Sequence, residues 1–512
     1  MIKEQIEKIL GRAVTLVHPK SLDNGDYTLI VDEETAQDDF EKLEKNKPEF
    51  ISKIEFIKPR FINFYLSKEF FKESLEDILK KGKDFGKNES LNGKKVMVEH
   101  TDPNPFKEFH IGHLMPNVIG SAISRVFEWN GAEVKQVNYQ GDVGLHVAKA
   151  VWALTQACVG NAYAYGHKAY EENPDAKKEI EEINKKIYEK SDEKINTIYE
   201  KGKKESLDYF ENIYKRLGTK FDYYFFESNT GEVGKKLVEE NIGKVFEKSE
   251  GAIVFKGSHT RVFINSQGLP TYEAKDLGNA QNKFNTYPYD LSVIVTGNEI
   301  KDYFKVVLEA MSKVLPELAK KTKYLPHGML RLTTGKMSSR TGNIITAEKL
   351  IDEIKEKVKG DEQVAIGAIK YMILRQAIGN DIVFDIDKSV STEGDSGVYL
   401  QYAYARTNSL LEKAQPVKSR AFDRLEERET HELERLLYRF PEVVERAGKE
   451  YAPHHITTYL TELAGSFNNF YAHEQIISDD KESPYRIAIT KAFNIVMKNG
   501  LNILGIPAPK RM

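Results

Sequence analysis

The period of the apolar positions changes several times along this chain, and each change marks a unit. From residue 1 to about 85, short alternating stretches are mixed with helical ones. The run Arg60-Phe-Ile-Asn-Phe-Tyr-Leu-Ser67 alternates large apolar with smaller positions, as a half-buried strand does. Ser67, followed by Lys68 and Glu69, predicts a helix N-cap, with the helix reaching about Lys81. The Gly-, Asn- and Lys-rich stretch from Lys83 to Lys95 reads as a linker. Val96-Met97-Val98 is a short strand of the fully buried kind. After a loop with Pro103 and Pro105, the spacing of Val118, Ile119, Ala122, Ile123, Val126 and Phe127 predicts a helix from about Gly112 to Trp129. Pro116 is placed in its first turn, and Asn130-Gly131 stops it. Val134 to Tyr139 returns to strand, so this region is a βαβ unit and implies a parallel sheet. From about 150 to 250 the pattern is mostly helical and strongly charged. That stretch looks inserted, because strand-like segments resume at Ala252–Phe255, Arg261–Ile264 and Leu291–Thr296. From about 362 onward helix follows helix, which predicts an all-α C-terminal domain.

Composition narrows the class. A chain of 512 residues exceeds what one core organises, so three or four domains are expected. With 40% hydrophobic and 30% charged residues it has the make-up of a soluble globular protein. Its longest apolar stretches, such as Leu291 to Val295, are far too short to span a membrane. The N-terminal MIKEQIEKIL carries acids early and lacks an apolar core, so it does not read as a signal peptide. Cys158 is the sole cysteine, which excludes an internal disulfide and a Cys-rich zinc site and fits a reducing cytoplasm. A net charge of −3 argues against indiscriminate coating of nucleic acid, while leaving room for a local basic surface that meets one RNA. The charged runs at 176–205 and 418–450 read as solvated helix faces with i,i+4 pairs.

Two stretches carry candidate chemistry. The chain has neither a Gly-x-x-x-x-Gly-Lys-Ser/Thr loop nor a Gly-x-Gly-x-x-Gly after a strand, so phosphates would be held another way. His110-Ile-Gly-His113 falls at a strand-to-helix junction, where backbone N–H groups and a positive dipole end attract anions. Gly112 removes a side chain there, so a base or phosphate can approach the backbone. His110 and His113, one turn apart, can face one spot and donate hydrogen bonds to phosphate oxygens. The residues alone also allow satisfied histidines at a helix start, or a two-His metal site. The lack of nearby Cys or a Glu-x-x-His pattern speaks against metal. Far downstream, Gly335-Lys336-Met337-Ser338-Ser339-Arg340-Thr341-Gly342-Asn343 combines two cations with small residues and two glycines. It is either a loop that closes over a triphosphate or a surface turn with incidental charge.

At these two motifs the chain resembles class I aminoacyl-tRNA synthetases, and the surrounding residues narrow the resemblance to the arginyl-tRNA synthetases. Glu99-His-Thr-Asp-Pro-Asn104 with Lys107 and Phe109 is similar to that family's approach to the first motif. Asn138-Tyr-Gln-Gly-Asp142-Val-Gly144 is similar to its next strand end, and Tyr272-Glu-Ala-Lys-Asp276-Leu-Gly278 to its arginine-pocket segment. Gly397-Val-Tyr399-Leu-Gln-Tyr402-Ala-Tyr-Ala-Arg406 resembles the opening of its anticodon domain. The tail from Asn499 to Met512 and the strand at Phe61–Ser67 fit the same family. The resemblance implies a small N-terminal α/β domain at 1–90 that meets the tRNA elbow. It implies a Rossmann-type parallel-sheet catalytic domain at 91–361, with an insertion at about 150–250 and the second-motif loop at 335–343. A helical anticodon-binding domain follows at 362–512.

The implied reaction is ATP-dependent activation of L-arginine, with Mg2+ carried by the nucleotide, followed by transfer to the 3′-terminal adenosine of tRNA(Arg). Class I resemblance implies the 2′-OH, and the family implies a need for tRNA even in the first step, a monomer and no zinc. By the same resemblance His110 and His113 stabilise phosphates, Gly112 seats the adenine, and Lys336, with Met337 and Ser338, contacts the triphosphate. Asn104 holds the amino or carboxylate end of arginine. Tyr272 and Asp276 read the guanidinium, since a carboxylate accepts a bidentate fork that lysine does not present, and Glu99 is a further candidate for this pocket. The alternative for Asp276 is a helix-start cap before Leu277, and the pocket is favoured because the resemblance gives it a partner in Tyr272. Tyr399, Tyr402 and Arg406, spaced by single turns, would stack on anticodon bases and meet phosphate, with Tyr471 and Met512 as additional contacts. The bare spacing also fits an aromatic stripe in a helical core.

Two positions depart from the family pattern. Ser339 stands where the general class I motif has a second lysine, and Lys107 stands just before the first motif, where many arginyl enzymes carry one instead. After Gly297, where the family often has Gln or His, this chain reads Asn298-Glu299-Ile300-Lys301-Asp302-Tyr303. The alternatives are a class I synthetase for another amino acid, a catalytically silent tRNA-binding paralogue motivated by Ser339, or an engineered or metal-dependent binding module.

Overall fold

A computed structural model describes residues 2–156, 161–333, 345–414 and 430–512. Its centre is a five-stranded parallel sheet in the order Thr322–His327, Leu291–Gly297, Lys95–His100, Glu133–Gln140 and Tyr223–Phe226. The strand read from Val96-Met97-Val98 lies in the middle, with those three side chains at 1% exposure or less. A parallel strand covered on both faces needs such a continuous apolar run. The chain leaves this strand through the loop 101–110, forms helix Ile111–Trp129, and returns as Glu133–Gln140. After Tyr223–Phe226 it crosses to the other side of the central strand. The switch point therefore lies between Lys95–His100 and Leu291–Gly297, at their C-terminal ends, where open α/β sheets bind ligands.

Helix Ile111–Trp129 ends at Asn130 as its sequence predicts. Pro116, expected in the first turn, sits in the second. It therefore cannot donate the usual bond to the carbonyl of Gly112. The expected N-cap at Ser67 is present: its hydroxyl accepts from the Phe70 N–H at 3.2 Å and opens helix Lys68–Lys81.

Within the stretch read as inserted, helices Leu145–Thr155, Ala162–Glu172, Pro174–Glu189 and Glu193–Leu217 enclose a core of their own. The same stretch also contains Tyr223–Phe226, the edge strand of the main sheet, whose four aromatic residues are masked in sequence by charged neighbours. Ala252–Lys256 and Thr260–Ile264 belong to a separate antiparallel sheet with Glu247–Ser249. Helices Glu227–Glu239 and Tyr272–Thr286 flank it and cross in near backbone contact. A Cβ at Gly278 would lie 2.0 Å from the carbonyl oxygen of Thr230, and one at Gly234 would lie 1.8 Å from that of Ala274.

The N-terminal unit is a four-stranded antiparallel sheet with two helices, Ile2–Leu10 and Ala36–Lys45. It docks on the C-terminal helices through Arg435, which donates to Asp26 at 2.8 Å and to the Leu22 carbonyl at 2.8 Å. Tyr27 and His18 both reach Glu442. The helices Gly397–Lys413, Glu432–Leu437, Phe440–Glu450, His454–His473 and Ser483–Ile503 form the expected all-α region. Beyond residue 362, the short strand Ile382–Phe384 pairs in parallel with Leu330–Leu332 of the segment that leads into the second motif.

The glycine crossing yields a test. Gly278→Ala must push helix Tyr272–Thr286 off its neighbour, at a cost of about 1–3 kcal/mol for overpacking. A lowered thermal midpoint by calorimetry is the expected result.

Candidate active site

A cleft of about 470 Å³ opens at the switch point. Of the residues singled out in sequence, it gathers Glu99, Asn104, His110, Gly112, His113, Tyr272 and Asp276.

The first motif is built by the helix start. His110 is the N-cap, with Nδ1 accepting from the Gly112 N–H at 3.0 Å, and His113 Nδ1 accepts from the His110 N–H at 3.3 Å. A ring nitrogen that accepts from backbone carries no proton, so each neutral ring bears its proton on Nε2. The two rings stack, with centroids 3.8 Å apart. Burial, followed by the charge of Lys107, lowers the pKa of His110 to about 4. Burial, then His110 and Lys107, drives His113 well below the ordinary histidine range. Both therefore present uncharged Nε2–H donors at neutral pH. Gly112 is required by this stack, because a Cβ there would lie 2.7 Å from the His110 ring.

The cleft is also lined by acids. Asp276 lies inside helix Tyr272–Thr286, whose N-cap is Thr271, so it is not the cap the bare sequence allowed. Its Oδ2 accepts from the Tyr303 hydroxyl at 2.5 Å. Burial raises its pKa to about 8, against the lowering effect of that hydrogen bond. Glu99 also lines the cleft, but its charge is engaged: Oε2 accepts from Lys283 at 2.8 Å and from Asn279 at 2.9 Å. Glu227 is paired with Lys275 at 2.6 Å. Tyr272 is half exposed at the rim, with its hydroxyl 3.3 Å from His146 Nδ1. Asn104 fits beside Gly141, where a Cβ would collide with its Oδ1 at 2.3 Å.

Several lining residues were not singled out in sequence: Asp102, Tyr139, Glu227, Glu299, Tyr303 and His327. Asp102 follows Thr101 in a pair of positive-φ residues, and its Oδ1 accepts from the Tyr139 N–H at 2.8 Å. That turn is not legible from residue types, because neither is glycine. Glu227 follows the unrecognised edge strand. Tyr303 and Glu299 belong to the stretch after Gly297 that departs from the family pattern, and Tyr303 supplies the contact to Asp276 there.

Lys107 is not among the residues lining the cleft. Its ammonium lies 4.6 Å from the centre of the Tyr163 ring on the inserted helices. Lys336, Met337 and Ser338 fall outside the described residues, but the chain on their C-terminal side returns to the first motif. The Ile111 N–H donates to the Ile345 carbonyl at 3.3 Å, and the Ala347 N–H donates to the Phe109 carbonyl at 2.8 Å.

Far from the cleft, Arg406 is sandwiched between Tyr402 and Tyr471, 4.7 and 4.9 Å from their ring centres. Asn468 joins Arg406, at 3.2 Å, to the Tyr399 hydroxyl, at 2.8 Å. Tyr402 and Tyr471 are exposed; Tyr399 is half-buried. Met512 is exposed and lies outside this stack.

A guanidinium held at Asp276 would favour the charged carboxylate and lower its pKa from about 8. The complex would then hold fewer protons than the free protein, so affinity for a guanidinium ligand would rise with pH up to about 8 and level off above it. Calorimetry in buffers of different ionisation enthalpy should show proton release at pH 7. Asp276→Asn should remove that release and cost about 1.5–3 kcal/mol of binding.

Comparison with known proteins agrees with this architecture. Residues 74–386, well over half the chain, match the family described as tRNA synthetases class I (R), catalytic domain. Residues 400–512 match the DALR anticodon binding domain. The arginine–tRNA ligase of Treponema denticola is 30% identical, over 87% of this chain and 84% of that protein. That of Halothermothrix orenii is 31% identical, over 94% and 90%. The solved Thermus thermophilus arginyl-tRNA synthetase shares the fold, with a TM-score of 0.77 at 23% identity, over 100% of this chain and 99% of that one. On the catalytic match and these relatives, the chain belongs to the arginyl-tRNA synthetase family of class I aminoacyl-tRNA synthetases.

Proposed function

We propose that this chain activates L-arginine with ATP and transfers the arginyl group to the 3′-terminal adenosine of tRNA(Arg). One observation carries the reading: a single cleft holds two neutral Nε2–H donors at a helix N-terminus and, across it, a buried acid able to accept a guanidinium. In the first step an arginine carboxylate oxygen attacks the α-phosphorus, and the bond to the pyrophosphate oxygen breaks. The nucleophile is already an anion, so positioning and charge stabilisation suffice. In the second step the 2′-hydroxyl oxygen attacks the arginyl carbonyl carbon. AMP leaves with the bonding electrons, and the hydroxyl proton passes to a phosphate oxygen of the departing AMP.

His110 and His113 would donate to phosphate oxygens, with Gly112 beside the adenine. Lys336, Met337 and Ser338 would close over the triphosphate from the other side, and Lys107 would supply the charge missing at Ser339. Asp276, with Tyr272, would hold the guanidinium, Asn104 the α-amino or carboxylate end, and Glu99 would be a wall held by Lys283. Mg2+ would enter on the ATP phosphates, since two of the carboxylates in the cleft are already committed to lysines. Tyr399, Tyr402, Arg406 and Tyr471, with Met512, would meet the anticodon, and residues 1–90 the tRNA elbow. The proposed division is 1–90, 91–361 and 362–512, and the protein would act as a monomer in the cytoplasm.

Arginine-dependent exchange of pyrophosphate into ATP, stimulated by tRNA(Arg), is the expected activity; no exchange with any amino acid would leave the silent-paralogue reading. Lys107→Ala should cut exchange by two orders of magnitude or so, the scale of losing one preorganised charge donor, without unfolding the protein. Arg406→Ala should raise the KM for tRNA while leaving arginine and ATP binding as they are, measured in the aminoacylation assay.

A further inference from the structure

Lys107 is held by the inserted helices, and the manner of holding is specific. Its Nζ sits 4.6 Å from the centre of the Tyr163 ring. The Tyr163 ring stacks on His167, one turn along helix Ala162–Glu172, with centroids 6.0 Å apart and planes 14° from parallel. His167 Nδ1 lies 3.0 Å from Lys149 Nζ, and Lys149 is itself placed 4.0 Å from the Tyr170 ring centre. The helix seats this closely because Gly166 packs on the backbone of Lys149; a Cβ there would lie 1.9 Å from the Lys149 carbonyl oxygen. Residues four apart share a helix face, so Tyr163 and His167 form a two-ring rail beside the approach to the first motif.

The choice of an aromatic face matters. A carboxylate partner would neutralise the ammonium and compete with phosphate for it. A ring quadrupole attracts the ammonium without cancelling its charge. We propose that Tyr163 is a positioning residue for adenylate formation: its ring holds the Lys107 ammonium in place, still charged, for the triphosphate. This rests on the reading of Lys107 as a phosphate contact. Lys107 is close enough to the first motif for its charge to help depress both His110 and His113; burial lowers its own pKa, and Glu227 in the cleft opposes that shift.

The test is a double-mutant cycle on the full-length protein, read by arginine-dependent pyrophosphate exchange with tRNA present. Tyr163→Leu should lower kcat by about three- to thirtyfold, the range of a partly desolvated cation–π contact, with the KM for arginine nearly unchanged. Tyr163→Phe, which keeps the ring, should restore most of the rate. In a Lys107→Met background, Tyr163→Leu should add no further loss. Equal losses in both backgrounds would overturn the proposal, because Tyr163 would then act on folding or on another group. So would a Tyr163→Leu rate equal to wild type while Lys107→Met is deeply impaired. Near-normal exchange by Lys107→Met alone would instead sink the phosphate role of Lys107, and the proposal with it.

Discussion

Helix Tyr272–Thr286 solves the main electrostatic problem of this fold. The switch point of the sheet collects carboxylates from several elements, and each would be costly to bury charged and unpaired. Lys283 at the far end of the helix neutralises Glu99 of the central strand, and Lys275 near its start neutralises Glu227 behind the edge strand. The two bridges tie one helix to both flanks of the cleft. Removing one partner of such a buried pair costs about 3–5 kcal/mol, so the pairs fix the position of the helix as well as its charge. Between the two lysines, on the same helix, Asp276 has no cationic partner among the described residues. Burial makes it reluctant to ionise, and a tyrosine hydroxyl holds its direction. With Glu99 and Glu227 compensated by lysines, Asp276, Asp102 and Glu299 line the cleft without an ion-pair partner among the described residues, a lining that favours a cationic side chain. The geometry of the lysines thus decides which carboxylates are available.

The histidine side follows a complementary logic. Two histidines close together near a lysine cannot cheaply all be charged, and burial settles the matter by keeping the rings neutral. Their tautomers are set by backbone N–H groups of the helix they cap, so the donor edges are fixed by the local turn. A neutral donor bound to a rigid helix start needs no reorganisation when an anion arrives.

The inserted helices are bound into the catalytic unit by Asp142. Its carboxylate accepts from Lys203 at 2.6 Å, from the Ser228 hydroxyl at 2.7 Å and from Tyr199 at 3.2 Å. At the other end of the molecule, Arg435 and Glu442 clasp the N-terminal sheet to the helical region through Asp26, His18 and Tyr27. In both places a buried or half-buried polar residue specifies which surfaces meet, while the apolar clusters on either side would tolerate many arrangements.

Much of this was legible in the sequence where the cause is local. The apolar run at Val96–Val98, the helical spacing to Phe127, the stop at Asn130 and the cap at Ser67 depend on neighbours within a few residues, and they stand where the pattern put them. The edge strand Tyr223–Phe226 was not legible, because four aromatic residues between charged helices carry no alternation. The helix start was read to within one residue, but Pro116 was placed a turn too early: counted from Ile111 it is the sixth residue, in the second turn. Glu99 and Asp276 are chemically similar in sequence. Only the tertiary structure shows that a lysine from residue 283 occupies the first and that a tyrosine from residue 303 orients the second. The chain by itself determined which residues could bind phosphate and guanidinium, since that is a matter of functional groups and motif. Which of them are free to do so was decided by pairings between residues up to 184 positions apart, a choice made by burial and distance, to which local pattern is blind.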